Sequence, residues 1–138
     1  MTARGPETRR EQSVRENTIR FKRDIAHAAG GLLPLRKLMQ ALDLKEAGDV
    51  ALAIQDRRLL ALLDGDETLF PACQIQDGAL LEGLKPILDA APSTSGWRIL
   101  QYLLYSEDGL AGRRPIDLIQ GSPEDLEVAI RFARRLEE

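Results

Sequence analysis

Apolar and polar positions alternate along this chain in more than one period, and each change of period marks an element. Residues 1–12 (MTARGPETRREQ) carry no hydrophobic period and are expected to be a flexible basic N-terminus. Ser13-x-x-Glu16 has the form of a capping box, in which hydroxyl and carboxylate satisfy free N–H groups at a helix start. Val14, Thr18, Phe21, Ile25 and Ala28 follow at helical spacing, and Gly30-Gly31 ends the helix. Pro34 suits the first turn of a second helix, with Leu35, Leu38, Met39 and Leu42 on one face. Asp43-Leu44 reads as a break, and a third helix runs from Lys45 or Glu46 to Asp56, giving helix-turn-helix proportions. Leu59–Leu63 and Thr68–Ala72 then flank Asp64-Gly65-Asp66, a turn signal that predicts a small two-stranded wing.

From Gly78 onward the pattern is helical again. Leu81, Leu84 and Leu88 share a helix whose first turn must contain Pro86, where a missing N–H costs nothing. Pro92-Ser93-Thr94-Ser95 breaks it, and Ser95 or Thr94 caps the next helix. "WRILQYLLY" is apolar over most of its circumference, as a central buried helix should be. Gly109 and Gly112 bound a loop, Pro115 starts a short helix ending at Gly121, and Ser122-Pro123-Glu124-Asp125 starts the last one. Its core side is Leu126, Ala129, Ile130, Ala133 and Leu136, with Arg131, Arg134 and Arg135 in the last turns, where cations complement the helix dipole. The fold class expected is mainly α: an N-terminal helix, a helix-turn-helix with a small two-stranded β wing, then a helical domain. The corresponding divisions are 1–12, 13–76 and 77–138.

Composition adds a soluble surface and a workable core, with 43% hydrophobic and 30% charged residues in a chain of 138. No apolar run approaches the roughly 18 residues of a membrane span, and the N-terminus has no apolar region of signal-peptide type. A cytoplasmic protein with no membrane partner is the expectation. Charge is uneven: residues 1–37 hold nine Lys/Arg and four Asp/Glu (+5), and residues 38–138 hold ten and eighteen (−8). A basic head on an acidic body can serve two partners, or simply be a solvated helix with an arginine-rich lead-in.

Catalytic chemistry finds little here. His27 is the only histidine and falls at a helix end. Cys73 is the only cysteine, in an apolar stretch with no neighbouring base or metal-ligand spacing. "DGDE" at 64–67 starts like a calcium loop, but the later ligands do not follow. No enzyme activity, metal or cofactor is expected. For DNA reading, the third helix offers Glu46, Asp49 and Asp56, which repel phosphates, and only Gln55 and Arg57-Arg58 in favour. Arg9, Arg10, Lys22 and Arg23 can make salt-sensitive backbone contacts that carry little sequence information.

The order of features from "RRLLALLDGDETLFPACQIQDGALLEGLKPILDAAP" through "GWRILQYLLYSEDGLAGRRPIDLIQG" resembles the MbcA/ParS/Xre antitoxin family. Matching positions are Phe70-Pro71-Ala72, Gln74, Trp97, Leu100, Leu103, Leu110, Gly112, Arg113, Pro115, Asp117, Leu118 and Gly121. The likeness runs from about Leu59 to the C-terminus, and Cys73 stands where the family has tryptophan, which removes a large packing group from the seam between the two halves. The resemblance implies a degenerate helix-turn-helix followed by a toxin-binding helical domain. It implies a protein that occludes the active site of a RES-type, NAD-degrading toxin, as a homodimer or a hetero-oligomer with that toxin. Operator DNA is a further partner of those members that regulate their own operon.

Under that resemblance the toxin-binding residues are Arg113, Arg114 and Asp117 in a supporting loop, and Arg131, Arg134, Arg135, Glu137 and Glu138 at the chain end. A dinucleotide cleft must tolerate phosphates, so terminal carboxylates can approach its basic groups, while arginines pair with an acidic rim. The alternatives are plain structural roles: turn and cap residues at Gly112, Pro115 and Gly121, a core anchor at Trp97, and an Asp117 that caps or pairs with Arg113 or Arg114. Two other functions stay open. One is a transcriptional regulator using residues 32–58 with Arg9, Arg10, Lys22, Arg23, Arg57 and Arg58. The other is an immunity protein for a delivered toxin.

Overall fold

A computed structural model of the protein describes residues 9–105 and 109–138. The described chain is mainly helical, with small antiparallel sheets. Helix α1 spans Arg9–Ala28, α2 Leu35–Leu42, α3 Ala47–Gln55, α4 Leu84–Ala90, α5 Gly96–Leu104, α6 Pro115–Leu118 and α7 Pro123–Arg134. Strand β1 is Leu32–Pro34, β2 Leu62–Asp64, β3 Glu67–Pro71, β4 Ile75–Gln76 and β5 Ala79–Leu80. Among the described residues no helix is long and apolar enough to cross a membrane.

Several elements depart from the sequence expectation. Helix α1 already includes Arg9–Gln12, so Ser13 is a helix-interior residue and not a cap. Arginine, glutamate and glutamine are good helix formers, and propensity carries the helix past the capping-box signal. Residues 1–8 of the expected flexible segment lie outside the described residues. The expected hairpin is present as β2–β3, but Leu32–Pro34, whose Pro34 also stands at the N-cap of α2, is an unexpected strand that pairs with Leu69–Pro71 and makes a three-stranded sheet in the order β1-β3-β2. Pro34 tolerates this because β1 is an edge strand, where a missing donor breaks no ladder. A second hairpin, β4–β5, turns at Asp77-Gly78, both left-handed with φ 53° and 77°, as a two-residue Asp-Gly turn requires. The boundary placed at 76/77 falls at this hairpin's tip.

Helices α1, α2 and α3 end alike. Each closes with paired backbone bonds around one left-handed residue: Gly30, Asp43 and Arg57, at φ 74°, 54° and 57°. Only the first is a glycine, so Arg57 holds a conformation that L-residues adopt at a cost of about 1 kcal/mol.

Two cores result. The larger unites Ile25 in the last turns of α1, and Ala29 just beyond it, with α4, α5, α6 and α7. The smaller gathers Leu38, Val50, Ala53, Leu59 and Phe70 beneath α2, α3 and the three-stranded sheet. They meet at Leu60, where the buried Gln74 amide accepts from the Leu60 N–H (2.8 Å) and donates to its carbonyl (3.0 Å). The side chain thereby does for an irregular segment what a neighbouring strand would do. Nearby, Gly96 lies so close to Ala61 that an added Cβ would sit 2.4 Å from its carbonyl oxygen. Trp97 Nε1 donates to the Leu63 carbonyl at 2.8 Å, joining α5 to β2.

Candidate functional site

The sequence-derived contact residues fall at two ends of α7, separated by the roughly 18 Å that twelve helical residues span. At the first end, Ser122 caps the helix by accepting from Asp125 N at 3.1 Å, and Pro123 occupies the first turn. Arg113 reaches across with Nη1 2.9 Å from Asp125 Oδ1, while its Nε donates to the Leu110 carbonyl at 3.3 Å. This pair holds the Asp125 carboxyl below the ordinary aspartate range, the Arg113 hydrogen bond being the main cause. Arg114 grips Asp117 with two hydrogen bonds, 3.1 and 3.3 Å, and the Asp117 hydrogen bond raises the Arg114 guanidinium further above its usual value. Gly121 fits beneath Asp125 because an added Cβ would meet the carboxylate at 2.8 Å. At the surface, Arg113 is thus paired with Asp125 and Arg114 with Asp117. Their exposed faces are only partly available to a partner.

At the other end the chain is fastened, not loose. Residues Arg135–Glu137 form a short 3₁₀ turn. The Glu137 carboxylate accepts from Ser93 N at 3.0 Å and from the Thr94 hydroxyl, which lowers its pKa, the Thr94 bond contributing most. Arg135 lies over the Phe132 ring, 4.4 Å from its centroid. Arg131 and Arg134 are exposed and have no ion-pair partner among the described residues. Glu138 is exposed beside them. The helix that presents them is rigidly seated: Ala129 and Ala133 are fully buried, and the Tyr102 hydroxyl donates to the Ala129 carbonyl at 2.6 Å.

The basic residues expected to meet DNA are distributed differently. Arg9, Arg10 and Arg23 are exposed on α1. Lys22 is engaged, its Nζ 2.7 Å from Asp64 and 5.2 Å from the Trp97 ring centroid. Arg57 pairs with Asp89 at 3.7 Å and Arg58 with Asp56 at 3.6 Å. Helix α3 exposes Asp49, Leu52, Ile54 and Gln55, with no cation of its own. Its outer face is therefore apolar and acidic.

Two features of this face depend on how the elements pack. Leu52 is 56% exposed, and beside it an open groove of about 670 Å³ runs between α3 and β5, lined by Leu42, Leu44, Leu52, Leu80, Asp49 and Glu82 among others. Its signal in the sequence was the excess of apolar residues in "EAGDVALAIQ", more than one buried stripe can use. Cys73 packs against the larger core, and burial pushes its thiol up to about 11, which keeps it protonated and unreactive at neutral pH. Among the described residues no group of three or more His, Cys, Asp or Glu is placed to hold a metal ion.

Comparison with models of protein families, with curated proteins and with solved structures finds no match to this chain.

Proposed function

We propose that the protein is an antitoxin that binds and occludes a RES-type NAD-degrading toxin through α7 and the chain end. The observation that carries this reading is the exposed pair Arg131 and Arg134. Both lie on a helix fixed by its Ser122 cap, its buried alanines and the Glu137 tie, and neither has an ion-pair partner among the described residues. Arginines held out on a rigid element meet an acidic rim with little further loss of side-chain freedom. Glu138, exposed at the same end, is the carboxylate that remains for a phosphate-binding cleft. Glu137, tied to Ser93 and Thr94, supports the arrangement from behind. The loop from Leu110 to Gly121 sets the angle of α7 through Arg113 and Asp125.

Occlusion by a seated helix changes the useful experiment. Deleting residues 122–138 would strip a wall from the larger core, so loss of inhibition would report unfolding. Charge reversal of Arg131 and Arg134 to glutamate leaves the core alone. The double variant, co-expressed with the protein encoded by the neighbouring gene, is expected to lose co-purification and NAD protection while its thermal unfolding is unchanged. Retention of both at wild-type level would sink the reading. The transcriptional alternative gains nothing from α3, whose outer face carries no cation, and keeps only the arginines of α1.

A further inference from the structure

Residues 9–20 of α1, with their described side chains, are exposed at every position, so about 18 Å of helix stands off the body. A helix of this length is marginal in water without tertiary contacts. Val14 is 59% exposed and Ile19 49%, large apolar side chains on an otherwise polar projection. The charges are also unbalanced: Arg9, Arg10 and Arg20 have no ion-pair partner among the described residues, against one acid in the same position, Glu16. Elsewhere on the chain lies the complement. The α3–β5 groove is apolar along its floor, and its rim carries two cations and two acids. Both cations are already engaged, Arg58 with Asp56 at 3.6 Å and Lys85 with Asp89 at 3.3 Å. Asp49 and Glu82 have no ion-pair partner among the described residues. The charge left over is positive on the arm and negative at the groove.

We propose that the projecting half of α1 docks in the α3–β5 groove of a second copy of this chain. The contact places Val14 against the exposed Leu52, with the free arginines along the rim that carries Asp49 and Glu82. In a two-fold dimer it occurs twice, each copy giving an arm and receiving one. Pairing arm with arm would bring like charges together, whereas arm in groove joins opposite ones. The idea stands independently of the toxin reading, because it concerns the isolated chain.

Sedimentation equilibrium of the full chain across the micromolar range tests it. The wild type is expected to be a dimer that weakens with salt, since much of the complementarity is charge. Val14→Asp disables the arm and Leu52→Asp the groove; each should raise the dimer dissociation constant at least about tenfold, because each buries an unpaired carboxylate. Both positions are solvent-facing, and circular dichroism should show both variants folded. Mixing the two variants restores one arm and one groove, so a heterodimer should form in the upper part of the concentration range. A monomeric wild type, a Leu52→Asp chain that dimerises normally, or a mixture that stays monomeric would each overturn the proposal.

Discussion

The first and last long helices, α1 and α7, both carry arginines toward an end of the chain, yet their placement differs. Helix α7 buries a stripe along its length, with Ala129 and Ala133 at 0% exposure, and is tied at both ends by Ser122 and by the Glu137 contact. Helix α1 is buried only in its last turns, through Ile25, with Ala29 just beyond its end. Arginine content is therefore a poor guide to role until the anchoring of its helix is known. On α7 the cations are presented by a surface seated on the core; on α1 they belong to an arm that projects from it.

The sharpest way to break this contrast is to charge one apolar position on each helix. Ala133→Asp places an unpaired carboxylate in the larger core and is expected to cost about 3 kcal/mol or more in urea denaturation. Val14→Asp on α1 should leave monomer stability within about 0.5 kcal/mol. Equal losses would mean that α1 is seated as firmly as α7. Next in size is Gln74→Leu. It leaves the Leu60 N–H and carbonyl unpaired at the junction of the cores, at a cost of about 2–3 kcal/mol, while the smaller Ala129→Gly change serves as a helix-propensity reference near 1 kcal/mol.

Helix starts offer a finer comparison. Ser122→Ala should cost about 1 kcal/mol, whereas Ser13→Ala should be neutral or slightly stabilising, because only Ser122 occupies a cap. A cost at Ser13 would restore the capping box. The smallest effect is in pH dependence. Asp125 and Glu137 have folded-state pKa values below their ordinary ones, so the stability they contribute is present above the ordinary carboxylate range and is lost as pH falls through the lowered values. Glu137 is exposed and the Asp125 side chain 31% accessible, so the loss is modest and shrinks with salt. Asp125→Asn and Glu137→Gln should each flatten the acid limb of the urea midpoint against pH, and no change in either would remove the electrostatic tie from the account of α7.

Much of this architecture was legible because it is written in short range. The periods of α2, α3, α5 and α7, the Ser95 and Ser122 caps and the Asp64-Gly65-Asp66 turn all act over a few residues. Strand β1 escaped because three residues cannot display alternation, and the Asp77-Gly78 turn was masked by leucines that also fit a helix. The candidate site was legible as residue types but not as partners. Arg114 with Asp117 is a neighbour on one turn and could be anticipated, whereas Arg113 with Asp125, Glu137 with Ser93, and Lys22 with Asp64 depend on how separate elements pack. The groove beside α3 left only a compositional trace, the surplus apolar residues of that helix, since it exists only where β5 comes alongside.

The Gln74 clasp has one more consequence. Leu60 lies in a stretch without helix or strand, where amide protons ordinarily trade with solvent quickly. Its N–H is nonetheless buried against a side chain rooted in another element, at the meeting point of both cores. Deuterium should therefore enter this position on the clock of whole-molecule opening, as slowly as in the middle of α5. A residue that looks like connecting chain would thus be a sentinel for the integrity of the whole fold, and the connection from Arg57 to Ala61 a poor place to insert even one additional residue.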